Sequence, residues 1–359
     1  MIKLEFMERN NGIDFVRGLA IINVVAAHCA FYRFSSINLN FFINTIGRFT
    51  VPFFFVSTGY LLYIKLQSTN DKNKYFISFI NRALRVFIFF TVLCFFMDVF
   101  FYMVHVTEQI FYFDSFLWNA GMLIFMGMFS ISSVPLWYVF AVALSVLMIY
   151  IVNRKKSNTT ILLLISLILN LIGLFGLWQA YSVFVFLVPF FTRIALFFGL
   201  FYITLGYFIA EKYDKVKDIT KGFNYPAMAV LSLVLLIVER SFFLLYYKVG
   251  YGEYYISSIP LAFFSMMYII EKNKSFKESF VTKIGKNLVG IYVFHIFYLT
   301  IFKNCILIFY KPGETFLSDL LSLLITFPVI YLSNKSYLLL EKTSMYQRFI
   351  IRKEIPIAN

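Results

Sequence analysis

Ten long apolar runs, separated by short stretches where lysines and arginines gather, make up most of the chain. They fall at about 15–32, 41–64, 86–106, 136–152, 159–178, 189–210, 225–245, 255–270, 287–302 and 318–340. Most approach the roughly 20 residues that a helix needs to cross the hydrocarbon layer of a bilayer. The first run contains the small residues Ala26, Ala27 and Ala30, as a signal peptide would near its cleavage site, but nine further runs follow and it reads as a retained helix. The stretch 110–130 is also apolar, yet Asp114, Asn119 and its glycines interrupt it, and it reads as re-entrant or interfacial. The pattern predicts an all-α polytopic membrane protein: a bundle of about ten transmembrane helices forming a single domain over 1–359.

Composition narrows the alternatives. Apolar residues are 61% and charged residues 14%, with 48 phenylalanines, against roughly 45–50% and about 25% in soluble globular chains. A soluble fold has too little interior for this surface, and disorder, coiled coil and disulfide scaffolds are excluded on the same figures. The net charge of +14 would suggest nucleic acid in a soluble protein. Here 24 of the 32 basic residues fall on one side of the ten-helix arrangement if the N-terminus is cytoplasmic, while Arg33, Lys248, Lys303 and Lys311 stay in the outer loops. This positive-inside asymmetry predicts both termini in the cytoplasm and leaves no reason to invoke a nucleic-acid partner. Cys29, Cys94 and Cys305 lie far apart in or beside apolar runs and read as buried reduced thiols.

Candidate chemistry lies in the ionisable residues within the runs, which are costly in a bilayer and usually face a bundle interior or a wet cavity. They are His28, Arg48, Asp98, His105, Arg193, Glu239, Arg240 and His295. Arg17 precedes His28 by eleven residues, close to three helical turns and about 16 Å of rise, so both face the same way. His28 can equally be satisfied by an interhelical hydrogen bond. Arg82 and Arg85, three apart, form one basic face that suits membrane anchoring or an anionic ligand such as phosphate. Asp98 and His105 suit pairing with neighbours, and Glu239 suits pairing with Arg240 or Arg193. No Walker A loop, metal-ligand spacing or Gly-x-Ser-x-Gly elbow is present, so no metal is expected.

Six segments, in order, resemble the acyltransferase-3 family of integral membrane acyltransferases. Gly12-Ile-Asp-Phe-Val-Arg17-Gly-Leu-Ala through His28 resembles its first helix. Val51-Pro-Phe-Phe-Phe-Val-Ser-Thr-Gly59-Tyr resembles its second, with Thr58 intruding beside Gly59. Arg82-Ala-Leu-Arg85 resembles its Arg-x-x-Arg, without the proline that commonly follows. Pro135-Leu-Trp137-Tyr138, Arg193 through Gly199 to Gly206-Tyr207, and Ile284-Gly285 through Tyr292 to His295 complete the series, with Leu288 where serine is usual.

The resemblance implies transfer of an acyl group, usually acetyl, from cytoplasmic acyl-CoA to a hydroxyl of an extracytoplasmic saccharide such as O-antigen, capsule or exopolysaccharide. The expected setting is the bacterial cytoplasmic (inner) membrane, with acetyl-CoA as co-substrate, a saccharide or lipid-linked glycan as acceptor, membrane lipid around the chain and no tightly bound cofactor. No fused SGNH-type domain is expected. His28 would act as general base or acyl carrier, Arg17 on the same helix face would join it in the catalytic machinery from the cytoplasmic mouth, and Arg82 and Arg85, with Arg17, would bind the donor's anionic end. Arg48 or Arg193 would stabilise the oxyanion. Glu239 would orient the imidazole or bind sugar hydroxyls, Trp137 and Tyr292 would contact sugar or pantetheine, and His295 would support the site. A polytopic transporter or flippase of a glycan or small solute is the alternative, though no paired broken helices or duplication favour it.

Overall fold

The computed structural model describes residues 10–30, 39–104, 110–111, 115–155, 158–185, 187–249, 252–309 and 316–351. His105, Arg33, Lys311 and both chain ends lie outside them, and with them the expectations placed there.

Each of the ten runs contains a helix: α1 (Asn11–Cys29), α2 (Leu39–Gln67), α3 (Lys72–Met103), α5 (Trp137–Arg154), α6 (Thr159–Gly173), α7 (Leu200–Glu211), α9 (Tyr225–Tyr247), α10 (Ser258–Glu271), α12 (Leu288–Phe309) and α13 (Phe316–Glu341). Three shorter helices join them: α4 (Phe116–Met126), α8 (Tyr213–Ile219) and α11 (Phe280–Lys286). Six spans are long and apolar enough to cross a membrane by themselves, one of them running through α4 and α5 from Leu117 to Arg154. The count is eight if two bent pairs each cross once: α7 turns into α8 by 94°, and α11 into α12 by 87°. The remaining two, α6 and α10, are apolar but short. Within 110–130 the helix α4 is only 11 residues long, about 16 Å, and stops at Gly127 in the left-handed conformation.

Two segments depart from the simple helical reading. The basic residues ahead of run 86–106 do not precede a helix, because α3 already begins at Lys72, where the Asp71 side chain accepts from the Lys74 amide (2.9 Å). Arg82 and Arg85 are therefore mid-helix. In run 189–210 the helix proper starts late. Residues 174–185 and 187–194 form an irregular wall containing a parallel pair, β1 (Gly176–Leu177) and β2 (Val188–Phe191), so Arg193 is not in a helix. Pro189, with no amide proton to donate, suits the non-helical segment. Non-helical backbone at membrane depth survives only against protein or a wet cavity. Here Thr192 Oγ1 donates to the Gly173 carbonyl at the end of α6 (2.7 Å), and Tyr254 donates to the Thr192 carbonyl.

Small residues let the central helices touch. A Cβ on Gly59 of α2 would stand 1.9 Å from the Ile203 carbonyl oxygen of α7, and one on Gly206 would stand 1.8 Å from that of Val56. The two backbones therefore cross at glycines from both sides, as in close-packed membrane helices. Around this crossing Phe55, Trp137, Tyr138 and Phe198 form an aromatic core, with Phe55 and Tyr138 rings 4.7 Å apart. The opposite faces of α6 and α9 expose Leu164, Ile165, Ile168, Val230 and Val238, an apolar surface suited to lipid. Asp98 of α3 accepts from the Ser132 amide (3.0 Å) and hydroxyl, tying α3 to the turn before α5. Cys29 and Cys94 are buried free thiols, whereas Cys305 is exposed on α12 instead of buried as expected.

Candidate active site

A continuous column of polar and aromatic groups runs between the helices. Arg17 of α1 donates from Nε to Ser57 Oγ (2.8 Å) and from Nη2 to Thr58 Oγ1 (3.2 Å), both on α2. Thr58 Oγ1 lies 3.5 Å from the Tyr138 hydroxyl of α5. The Tyr138 ring meets Tyr292 of α12 at 5.3 Å, Tyr292 meets His295 at 5.6 Å, and His295 meets His28 at 5.3 Å. Arg17 and His28, at opposite ends of α1, are thus linked through three other helices and need not touch.

The two histidines differ in setting. His295 is fully buried, its Nδ1 is 2.6 Å from the Tyr292 carbonyl, and its Nε2 has no hydrogen-bond partner among the described residues. Donation from Nδ1 to that carbonyl fixes the tautomer and leaves Nε2 with a free lone pair. His28, in the last turn of α1, is exposed. Lys303 of α12 donates to the Ala30 carbonyl at the end of the same helix (2.9 Å), a favourable place for a cation.

Beside the column, at Trp137 next to Tyr138, lies an ionic cluster. Glu253 binds Arg48 through Oε2 and Arg193 through Oε1, the latter at 2.8 Å. Arg193 also stacks over Trp137, 5.0 Å from the ring centre. Several local devices place this cluster. Pro52 has no amide proton for the Arg48 carbonyl one turn earlier, and Ser258 Oγ reaches that carbonyl instead (3.3 Å), bringing the start of α10 to α2. Gly252 adopts φ +108°, where a Cβ would come within 2.9 Å of the Ala180 amide nitrogen. The Gln179 side chain accepts from the Glu253 and Tyr254 amides (2.9 and 3.2 Å).

The other expected residues fall into two groups. Trp137 and Tyr292 are buried. Trp137 supports Arg193, while Tyr292 donates to the Pro135 carbonyl and presents its own carbonyl to His295. Glu239 stands apart from the histidines. Its carboxylate accepts from the Ile256 and Ser257 amides (2.9 and 3.0 Å) and from the Tyr181 and Ser257 hydroxyls, holding the entry to α10 instead of pairing with an arginine. The neighbouring Arg240 is buried against Phe41, donating to its carbonyl (3.1 Å) and to Thr45 Oγ1 (2.7 Å). Arg82 and Arg85 lie elsewhere, in the N-terminal half of α3. Arg82 is exposed, and Arg85 donates to the Asn81 and Phe349 carbonyls (3.2 Å each).

Sequence reasoning missed Glu253, Tyr138 as a link in the column, and Lys303 as a neighbour of His28. Glu253 was the most accessible of these. Two arginines within apolar runs require a compensating anion, and Glu253 is the one carboxylate between runs 225–245 and 255–270.

Apolar helices enclosing imidazole, guanidinium and carboxylate groups define a multi-pass membrane protein with a reactive polar interior. The chain belongs to the acyltransferase-3 family, whose model, described as an acyltransferase domain, matches residues 10–335. Its activity class is therefore acyl transfer in a membrane. Neither the curated proteins nor the solved structures compared with the chain include a match.

Proposed function

We propose that this protein moves an acetyl group from cytoplasmic acetyl-CoA to a hydroxyl of an extracytoplasmic saccharide, an O-antigen, capsule, exopolysaccharide or lipid-linked glycan, in a bacterial cytoplasmic membrane. The observation that carries this reading is the open imidazole of His28 backed by His295, at the end of a column that begins at Arg17. Arg82 and Arg85 hold the donor's phosphates, and the pantetheine arm follows the column.

A neutral His28 takes the proton of the acceptor hydroxyl as its oxygen attacks the thioester carbon. The adduct's negative oxygen is met by Arg193 or Arg48, both held ready by Glu253. Collapse breaks the C–S bond, and the imidazolium returns its proton to the departing thiolate, giving an O-acetyl ester and free CoA. In a two-step version, the same ring attacks the thioester first and carries the acyl group as acyl-imidazole. The test is mass spectrometry of the cell's surface glycan with the wild-type gene, without it, and with His28→Ala. A gain of one acetyl mass per repeat that needs both gene and histidine supports the reading. Full acetylation with His28→Ala at normal protein level rejects it, and an unmodified but mislocalised glycan points to transport.

A further inference from the structure

The segment after α13, Ser344–Tyr346 followed by Gln347–Ile351, lies beyond the residues matched by the family model. It folds back across the lower part of α3. Arg85 Nη1 donates to the Phe349 carbonyl, the Phe349 ring meets Phe89 at 6.4 Å, and Ile350 is buried. The Tyr346 hydroxyl pairs with that of Tyr337 (2.9 Å). Polar and apolar contacts thus clamp the segment to the Arg-x-x-Arg face. Between them opens a pocket of about 410 Å³, lined by Asn81, Leu84, Arg85, Arg348 and Phe349. No carboxylate is among these lining residues. Arg85 and Arg348 both line this pocket, and an anion bound there can accept charge-assisted contacts from both.

We infer that this pocket binds a phosphate group of the acyl-CoA donor, and that Arg348 is a donor-binding residue contributed by the C-terminal segment. The inference rests on the donor reading proposed above and deepens it. Asn81 adds an amide able to donate to a phosphate oxygen, while Leu84 and Phe349 give the pocket an apolar edge suited to a nucleotide's flat base. The headgroup of an anionic phospholipid offers the same phosphate chemistry, so the test separates the two sources.

The full chain is placed in phosphatidylcholine nanodiscs and CoA binding is measured directly. Arg348→Gln is expected to weaken CoA binding about tenfold, with Arg348→Lys losing less and Lys342→Gln, which removes a charge outside the pocket, losing nothing. Asn81→Asp leaves the C-terminal segment untouched, puts a carboxylate in the pocket, and is expected to weaken CoA similarly. If wild type binds CoA and both Arg348→Gln and Asn81→Asp bind it equally well, the inference is overturned while the donor reading stands. If wild type binds no CoA, the donor reading itself fails. If added phosphatidylglycerol competes with CoA only when Arg348 is present, and Arg348→Gln leaves CoA affinity intact without that lipid, the pocket belongs to a headgroup.

Discussion

The imidazole of His28 lies 5.3 Å from that of His295, ring centre to ring centre, with the planes tilted by 41°. One ring is accessible, the other is sealed behind it, and the sealed one is locked to the Tyr292 carbonyl through Nδ1. In the proposed reaction such a pair would divide the work: His28 would meet substrate, and His295 would set the position and polarity of what His28 faces.

His28→Ala is expected to lower acyl transfer by roughly 10²–10⁴-fold at unchanged protein level, the usual worth of a positioned base. His295→Asn should lower it less. Because the rings act as one unit, the double variant should be no slower than His28→Ala alone. Rates of labelled acetyl incorporation check this, and strictly multiplicative losses would show that the two rings act independently.

Tyr292→Phe removes only the hydroxyl that reaches the Pro135 carbonyl, keeping both ring contacts. Loss of one hydrogen bond worth ~1 kcal/mol predicts about a fivefold fall in kcat with KM for the donor unchanged. Tyr292→Ala also removes the ring packed on His295 and should fall much further. A change confined to KM would instead mean that Tyr292 touches the donor.

Glu253→Gln takes the carboxylate from two guanidiniums at once. Since the carboxylate and Arg193 are both partly exposed, the expected destabilisation is modest, about 1–3 kcal/mol. Arg48→Met in the same background should recover part of it, because one stranded charge is then removed. Thermal unfolding in detergent by tryptophan fluorescence provides the measurement, and an unchanged midpoint in Glu253→Gln would contradict the assignment.

Gly206→Ala places a methyl group where the Val56 carbonyl already stands. The helices must separate, at a cost of at least 1–3 kcal/mol. Gly121→Ala on α4 meets nothing within 4 Å and should be silent. Size-exclusion profiles of the two solubilised variants distinguish them. A monodisperse, wild-type-like Gly206→Ala would mean that the crossing can open without loss.

Helix placement was legible in the sequence wherever hydrophobicity alone decides it. All ten runs contain helices because burial in lipid leaves the backbone no other way to satisfy itself. The breaks were not legible. The stretch containing Arg193 is as apolar as its neighbours, and its departure from helix depends on Thr192, Gln179 and Tyr254 meeting across distant parts of the chain. For the site, Arg17, His28 and His295 stood out as polar residues in apolar runs. Glu253 did not, because it lies between runs and looked like a loop charge. Glu239, by contrast, looked internal and proved to hold a helix entry. Spacing along one helix shows which face a side chain shares. It does not show which neighbour arrives there, and that neighbour decides between a carboxylate that holds two arginines and one that holds a helix entry.

Two short apolar helices, α6 with 15 residues and α10 with 14, reach only about 21–23 Å at 1.5 Å per residue, against roughly 30 Å of hydrocarbon. Lipid beside helices this short must thin or leave headgroups closer to the midplane. A bilayer pinched at these helices narrows the barrier itself. In the proposed reaction, the donor arm inside the bundle would then have a shorter distance to span between the two faces than the surrounding membrane sets.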